Sequence, residues 1–495
     1  MRHCAAHVIA MADTSSLTSG GFPRRRMHLN FFETACKGSH MCTGQWKNPE
    51  DSSRDKDQLD YYLWLAKLAE RGSITSIFFA DNYGTMQTYG GTPDALFKGG
   101  SMVGYLDPVT LVSAMAAVTK SVGFGITGST SYIPPYALAR TWASLDHVTR
   151  GRIAWNVVTS YSNTAAQVMG LDGVKSSEER YQAAQEYMDL VYEYFSLWEK
   201  SWANDAQQWQ VEPEMAYDPS KIQKIDYQGK YLKMSAVAQT HPSPQRTPII
   251  FQAGASPAGI AFGGKHAEAI FCSHSTIEDT KKYTASVRAA AAAQGRDPQS
   301  IKFFLGTMPF IGRTLEEAQA KFERARKFCS IEGGLTRFSG FVNLDMSKYP
   351  KDQPFRLDGE MRENAIQGLI SSMQTLSNLK ELTPIDIAEI MALGGLGPRP
   401  IGTPEMVADE LMEWVEKGDI DGFNLSPVVN PGSWEDIVEL LVPELQKRGV
   451  YWNDYPVPGG TLRENLSGKP GEPHLAPDHP GSKFKYSECN GSPGS

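Results

Sequence analysis

Eight short apolar runs recur along this 495-residue chain, and a helical pattern follows nearly every one of them. The runs are 27–32, 76–81, 122–130, 152–160, 248–256, 269–274, 302–311 and 422–428. A βα unit repeated eight times is the pattern of a closed parallel barrel. The sequence therefore predicts an α/β protein with a (β/α)8 TIM barrel fold.

Barrels of this kind carry their chemistry at the carboxyl ends of the strands. The predicted ends are rich in hydroxyl, amide and carboxyl groups, at Glu33, 81–83, 127–132, 156–161, 254–256 and 273–274. Apolar residues at helical spacing predict helices over 55–70, 109–119, 136–148, 176–198, 257–266, 280–293, 314–328, 403–416 and 433–447.

Composition excludes several functional classes. The net charge is −8 with no basic stripe, which argues against nucleic acid as a partner. No apolar run approaches the roughly 20 residues that cross a bilayer, so no membrane association is predicted. The six cysteines are scattered without a C-x-x-C pair, as in reduced cytoplasmic proteins. Histidine spacing indicates no metal site.

One barrel domain is predicted over residues 27–466. Residues 1–26 are interpreted as a disordered extension, although Arg24 to Arg26 and a single acid leave a mitochondrial targeting segment open. The Pro- and Gly-rich stretch 467–495 is interpreted as a disordered tail. Two long segments, about 201–247 and 329–400, are predicted as insertions on the catalytic face, the first with a hairpin at 224–234.

The glycines 123, 125 and 128 match the dinucleotide-binding string, but no helix opens after them. We therefore expect them to let a flat ring approach the third strand. His147 is interpreted as a structural side chain at a helix–strand corner. No nucleophile elbow or zinc-binding motif is present, and this favours a bound organic cofactor.

Three polar positions at strand ends have both a structural and a functional interpretation. Asp81 could cap a turn or face a ligand, and Asn156 needs a hydrogen-bond partner at the end of an apolar strand. Ser256 could be an ordinary N-cap or part of an anion site at a helix N-terminus.

Longer strings at 27–32, 79–81, 129–140, 143–160 and 252–256 closely resemble those of the bacterial-luciferase-like flavin monooxygenases. Within that family the chain is similar to the nitrilotriacetate and dibenzothiophene-sulfone monooxygenase branch. The resemblance covers about residues 27–466, including the closing string 461–466.

The resemblance implies a two-component enzyme. A separate NAD(P)H:flavin reductase would supply FMN as FMNH2, and O2 would form a C4a-(hydro)peroxyflavin that oxygenates a small-molecule substrate. Cleavage of a C–N or C–S bond, or hydroxylation, would be the outcome, and a homo-oligomer is expected. Two alternatives remain open: an oxidoreductase that uses the deazaflavin coenzyme F420, and a non-catalytic flavin-binding barrel.

The resemblance also implies site residues. Asp81, Thr127 and Asn156 would lie at the flavin ring, and Tyr181 and Ser256 at its phosphate. Ser177 stands where relatives often have a flavin-contacting histidine; its hydroxyl can form a hydrogen bond but cannot carry positive charge. His28, Cys36 and Tyr132 are candidate pocket residues. No side chain is assigned as catalytic.

Overall fold

The computed structural model describes residues 25–192, 197–356, 364–484 and 486. Its centre is a closed barrel of eight parallel strands, each paired with its neighbours in chain order. The strands are β1 (His28–Glu33), β2 (Ser76–Phe79), β3 (Gly123–Ser129), β4 (Ile153–Val158), β5 (Ile249–Gln252), β6 (Ala269–Cys272), β7 (Lys302–Thr307) and β8 (Gly422–Leu425). All eight lie within or at the bounds of the predicted runs apart from Glu33, so the predicted barrel is confirmed.

Each barrel strand is buried on both of its faces. Along β2, Ile77 belongs to the cluster between the strands and the outer helices, whereas the next residue, Phe78, fills the barrel interior. Phe32, Phe251 and Phe304 join Phe78 in that interior. Burial on both sides explains why these strands appear in the sequence as continuous apolar runs without alternation.

Most predicted helices are confirmed, with shifts of a few residues at their ends. The helices are α1 (Leu59–Arg71), α2 (Asp94–Gly99), α3 (Pro108–Ala117), α4 (Pro135–Val148), α5 (Asn163–Val168), α6 (Ser177–Val191), α7 (Pro257–His266), α8 (Ile277–Ala293), α9 (Leu315–Phe328), α10 (Ile331–Val342), α11 (Asn364–Ser377), α12 (Pro384–Ala392), α13 (Pro404–Gly418), α14 (Gly432–Asp436), α15 (Val442–Lys447) and α16 (Leu462–Ser467). A π-helical turn, Ile437–Leu441, joins α14 to α15. The predicted extension of α6 to about 198 runs through 193–196, outside the described residues. No helix in the described ranges is long and apolar enough to cross a membrane.

The insertion 201–247 is not on the catalytic face, which corrects the prediction. It follows α6 and precedes β5, so it begins at the amino end of the barrel. Its hairpin pairs Lys224–Gln228 with Lys233–Val237 and packs along α6. There the Glu186 carboxylate accepts main-chain N–H groups of Lys230 and Leu232 at 3.1 and 2.6 Å.

The prediction of a disordered tail from residue 467 is wrong over 467–484. Leu475 and His479 are 3% and 1% exposed, and a ring nitrogen of His479 lies 3.0 Å from the His266 carbonyl oxygen. Isolated side chains dock at specific points here, so no periodic pattern marks the packing in the sequence.

Of the predicted extension 1–26, only Arg25 and Arg26 are described, and Arg25 pairs with Asp421 at 2.5 Å.

The amino end of the barrel is closed by α16. Leu462 enters the interior cluster, and the Arg463 guanidinium donates to both Glu268 oxygens at 2.6 and 2.9 Å. Arg463 also donates to the Pro473 carbonyl at 2.6 Å, which ties the C-terminal segment to the barrel. Although burial opposes ionisation, Arg463 holds the pKa of Glu268 below its ordinary value.

We predict that Arg463→Met lowers the free energy of unfolding by about 3–5 kcal/mol, because it leaves Glu268 buried without its cation. Since the pKa of Glu268 is depressed in the folded state, this loss is present at neutral pH and shrinks as the pH falls below about 4. Urea denaturation measures the change. Lys469→Met, which removes an exposed pair with Glu472, is the control and should change stability by less than about 0.5 kcal/mol. Equal losses in both variants would contradict a special role for the buried pair.

Candidate active site

A cavity of about 670 Å³ opens at the carboxyl ends of the barrel strands. This volume lies within the range of small-molecule sites. Six residues predicted from the sequence all line it: Asp81, Thr127, Asn156, Ser177, Tyr181 and Ser256. They come from four strand ends and one helix, so only the closed barrel brings them together.

One end of the cavity is set by hydrogen bonds between neighbouring strands. Thr127 lies opposite Asn156 in the register of β3 and β4. The Thr127 hydroxyl donates to the Phe79 carbonyl at 2.9 Å and accepts from the Asn156 amide nitrogen at 2.9 Å. The Asn156 amide oxygen is buried and has no partner among the described residues. A ligand N–H group would satisfy it.

Asp81 follows β2 at the same end of the cavity. Its carboxylate accepts the Asn82 main-chain N–H at 2.8 Å, so it caps the turn as well as lining the cavity. Burial raises the pKa of Asp81 to about 6. The group can therefore gain or lose a proton near neutral pH.

The other polar end is built around the N-terminus of α7. Ser256 caps this helix by accepting the Gly259 N–H at 3.1 Å. Burial raises the pKa of Tyr181, whose hydroxyl also interacts with Ser256. A Cβ atom at Gly254 or Gly259 would come within 2.7 Å of the Tyr181 hydroxyl, so both glycines are needed for this close approach. Free N–H groups at a helix N-terminus attract anions.

Arg180 also lines the cavity, although it is not among the site residues predicted from the sequence. Its Nη1 donates to the Lys175 carbonyl at 2.7 Å, while its Nε is buried without a partner in the described part of the chain. Ser177, Arg180 and Tyr181 are spaced three and four residues apart on α6, so they share one helix face. That spacing is the sequence signal that could have identified Arg180.

Apolar side chains form much of the remaining wall, which also includes the polar side chains of His40 and Arg337. Phe32, Phe78 and Phe271 lie at the barrel side of the cavity. The insertion 329–400 contributes Phe341 and Met391 to the opposite side, as predicted for an insertion on the catalytic face. None of the cavity-lining residues comes from 201–247.

Three candidate pocket residues lie elsewhere. His28 is at the amino end of β1, where its ring nitrogen lies 3.0 Å from the Thr75 hydroxyl. The Cys36 thiol lies 3.2 Å from the Thr34 hydroxyl, and Tyr132 packs edge-on against Tyr83. None of the three is among the cavity-lining residues.

His147 lies outside the cavity too, with its ring nitrogen 3.0 Å from the His241 carbonyl, which fits its structural interpretation.

The glycines of β3 do not serve a flat ring, contrary to the prediction. A Cβ at Gly123 would meet Leu462 at 2.5 Å, and one at Gly128 would meet the Trp155 ring at 2.8 Å. At Gly125 it would meet Phe78 at 3.3 Å. These glycines make room for protein side chains, and none of them lines the cavity.

Comparison with known proteins identifies similar monooxygenases. The family model of the luciferase-like monooxygenases matches residues 38–420. The chain is 37% identical to the dimethyl-sulfide monooxygenase of Hyphomicrobium sulfonivorans, over 93% of this chain and 94% of that protein. It is 38% identical to the long-chain alkane monooxygenase of Geobacillus thermodenitrificans, over 94% and 99%. Dibenzothiophene-sulfone and nitrilotriacetate monooxygenases match at 34% and 32% identity, which confirms the expected branch.

Solved structures agree with this fold. The crystal structure of DmoA from Hyphomicrobium sulfonivorans superposes with a TM-score of 0.87 at 36% identity, over 94% of this chain and 96% of that one. The crystal structure of riboflavin lyase with modified FMN and riboflavin superposes with a TM-score of 0.82 at 34% identity, over 93% and 100%.

We predict that Asp81→Asn stabilises the protein above pH 6. Because the pKa of Asp81 is raised to about 6 in the folded state, ionising it costs folding free energy that is absent below about pH 4. The difference in free energy of unfolding between variant and wild type should therefore grow by about 1–3 kcal/mol between pH 4 and pH 7. Urea denaturation across this range measures it. Asp94→Asn, at an exposed position, is the control, and a pH-independent difference at Asp81 would contradict the raised pKa.

Proposed function

The chain belongs to the luciferase-like monooxygenase family and is a flavin-dependent monooxygenase, and we propose that its cofactor is FMN, received as FMNH2 from a separate NAD(P)H:flavin reductase. The observation that carries this proposal is that one cavity contains the N-terminus of α7, where an anion could bind, and the unpartnered amide oxygen of Asn156, where a ring N–H could bind. With O2 as the second substrate, the enzyme would oxygenate a small organic molecule.

The residues present fit such a cofactor. The Asn156 oxygen and the Arg180 Nε are both buried and both lack a partner within the described ranges. An isoalloxazine N–H would satisfy the first, and a phosphate oxygen the second. The N-terminus of α7 with Ser256 and the Tyr181 hydroxyl would complete the phosphate site. When bound, reduced flavin supplies the electrons for oxygen activation.

The protein itself would bind the cofactor and the substrate, exclude water from the cavity and hold a proton on a carboxyl group. Phe78 and Phe271 on the barrel side, and Met391 in the insertion 329–400 that forms the roof of the cavity, make much of the wall apolar. Asp81 lines the part of the cavity proposed for the flavin ring and carries a proton on its carboxyl group below about pH 6. Such a group can supply a proton to oxygen or accept one from it during the reaction.

Arg180 can compensate for the serine at position 177, where a histidine is expected from the family resemblance. The serine hydroxyl cannot supply the positive charge of the histidine that relatives often have at this position. Arg180 lies three residues further along α6 and lines the same cavity. We infer that its guanidinium provides the missing charge toward the phosphate.

The relatives' names span dimethyl sulfide, long-chain alkanes, a sulfone and nitrilotriacetate. Family membership therefore leaves the substrate open, together with the choice between hydroxylation and cleavage of a C–S or C–N bond.

We predict that Asp81→Ala and Ser256→Ala each weaken FMNH2 binding by about 1–3 kcal/mol, the usual loss for a hydrogen bond to a charged group. Anaerobic titration of protein fluorescence measures the affinity. Asp94→Ala and Ser286→Ala remove an exposed carboxylate and an exposed hydroxyl outside the cavity and should leave it unchanged. An unaltered affinity in either cavity variant would remove that residue from the site.

The oxygenase activity is tested with ¹⁸O2, NADH, FMN and a generic flavin reductase. The substrate panel contains thioethers, sulfones, sulfonates and amines. Each acidic compound is paired with an uncharged compound of similar shape, and each uncharged compound with an acidic one. We expect mass spectrometry to find one ¹⁸O atom in a product. Tight binding of coenzyme F420 without any response to FMNH2 would contradict the proposal. Oxygen uptake that stays uncoupled from product for every substrate would favour a non-catalytic barrel.

A further inference from the structure

Arg337 is a buried cation in the wall of the active-site cavity. It lies on α10, in the insertion 329–400, and is 1% exposed. Its Nη1 donates to the main-chain carbonyls of Met41, at 3.1 Å, and Met391, and its Nη2 lies 3.5 Å from the Met41 sulfur. No ion pair joins it to any carboxylate in the described part of the chain.

These contacts compensate the charge only in part. The Met391 carbonyl belongs to the last turn of α12, where the helix dipole is negative. The Arg337 Nε is buried and finds no partner among the residues described. Burial lowers the pKa of Arg337 to about 10. A guanidinium without a counter-ion is costly inside a protein, whereas an anion arriving in the cavity would relieve that cost.

His40 adds a ring nitrogen without a partner in the same cavity. Its ring packs edge-on against Phe32, and its Nδ1 is buried without a partner in the described ranges. Burial, reinforced by Arg337 and Lys56, lowers the pKa of His40 to about 3. The ring is therefore neutral at physiological pH and has one N–H group to donate.

The residues proposed to hold the cofactor do not include these two groups. The proposed phosphate site already has a cation, Arg180 on α6, and a helix N-terminus, that of α7. Arg337 instead lies among the side chains of the roof, near Phe341 and Met391. Asp81, the carboxyl group at the ring end, forms no ion pair with it in the described structure.

We propose that the substrate carries an oxyanion, a carboxylate or a sulfonate, that binds to Arg337 and His40 while its apolar part lies against the roof. This inference rests on the proposed function and specifies its substrate class. The planar guanidinium matches a carboxylate or sulfonate through paired N–H donors. The methionine and phenylalanine side chains around it suit a small apolar body.

The test compares acids with uncharged partners of the same shape. The probes are (benzylthio)acetate against its methyl ester, and benzenesulfonate against methyl phenyl sulfone, titrated by calorimetry into protein with FMN. We expect each acid to bind at least about tenfold more tightly than its neutral partner. Arg337→Met should weaken acid binding by about ten- to a hundredfold, the equivalent of losing charge-assisted hydrogen bonds, and leave neutral binding unchanged.

The matched control is Arg399→Met. Arg399 is also an arginine next to the end of α12, where it donates to the Leu393 carbonyl at 3.3 Å, but it does not line the cavity. It should leave the preference for acids intact. Arg337→Lys should keep part of that preference, and His40→Leu should weaken acid binding independently, so the inference stays testable should Arg337→Met fold poorly.

Equal affinity for acids and neutral partners would overturn the inference. Equal losses of affinity for both in Arg337→Met would also overturn it, because they would show that Arg337 only holds Met41 and Met391 in place. Incorporation of ¹⁸O into neutral substrates only would leave the monooxygenase proposal standing and reject the oxyanion site. Arg337-dependent acid binding without any labelled product would support the oxyanion site and reject the proposed reaction.

Discussion

The register between neighbouring parallel strands is the constraint on which the active site depends. Because β3 and β4 pair with Thr127 opposite Asn156, their side chains meet at 2.9 Å, and the Thr127 hydroxyl reaches the Phe79 carbonyl of β2. A slip of one residue would turn each side chain to the other face of its strand. The buried phenylalanines of the barrel interior oppose such a slip, since it would expose them or force them against the helices.

The cavity combines two sources with different constraints. Its polar groups come from strand ends and from two helix N-termini, whose positions the barrel determines. Its apolar roof comes from the insertion 329–400, which packs as a cluster separate from the barrel core. The roof can therefore change without disturbing the barrel, and relatives named for very different substrates fit such a division.

Three ionisable groups in the cavity show how burial is used. Burial raises the pKa of Asp81 to about 6, so this group can gain or lose a proton near neutral pH, whereas Arg180 and Arg337 each have a buried Nε without a partner among the described residues. In folded proteins, buried polar groups without partners are rare and call for an explanation. Here the proposed explanation is that flavin phosphate and a substrate oxyanion complete them.

The sequence by itself determined the eight strands and most of the helices, because these follow from local signals such as apolar runs and caps. Its resemblance to a known family indicated the six polar residues of the cavity. Only the tertiary structure decided the rest. The β3 glycines accommodate side chains from distant segments, and 201–247 lies along α6 away from the cavity. The segment 467–484 is held by single contacts, and within the described residues the fold surrounds Arg337 with main-chain carbonyls and no carboxylate partner. Such features depend on which residues meet across the chain, and local patterns carry no record of that.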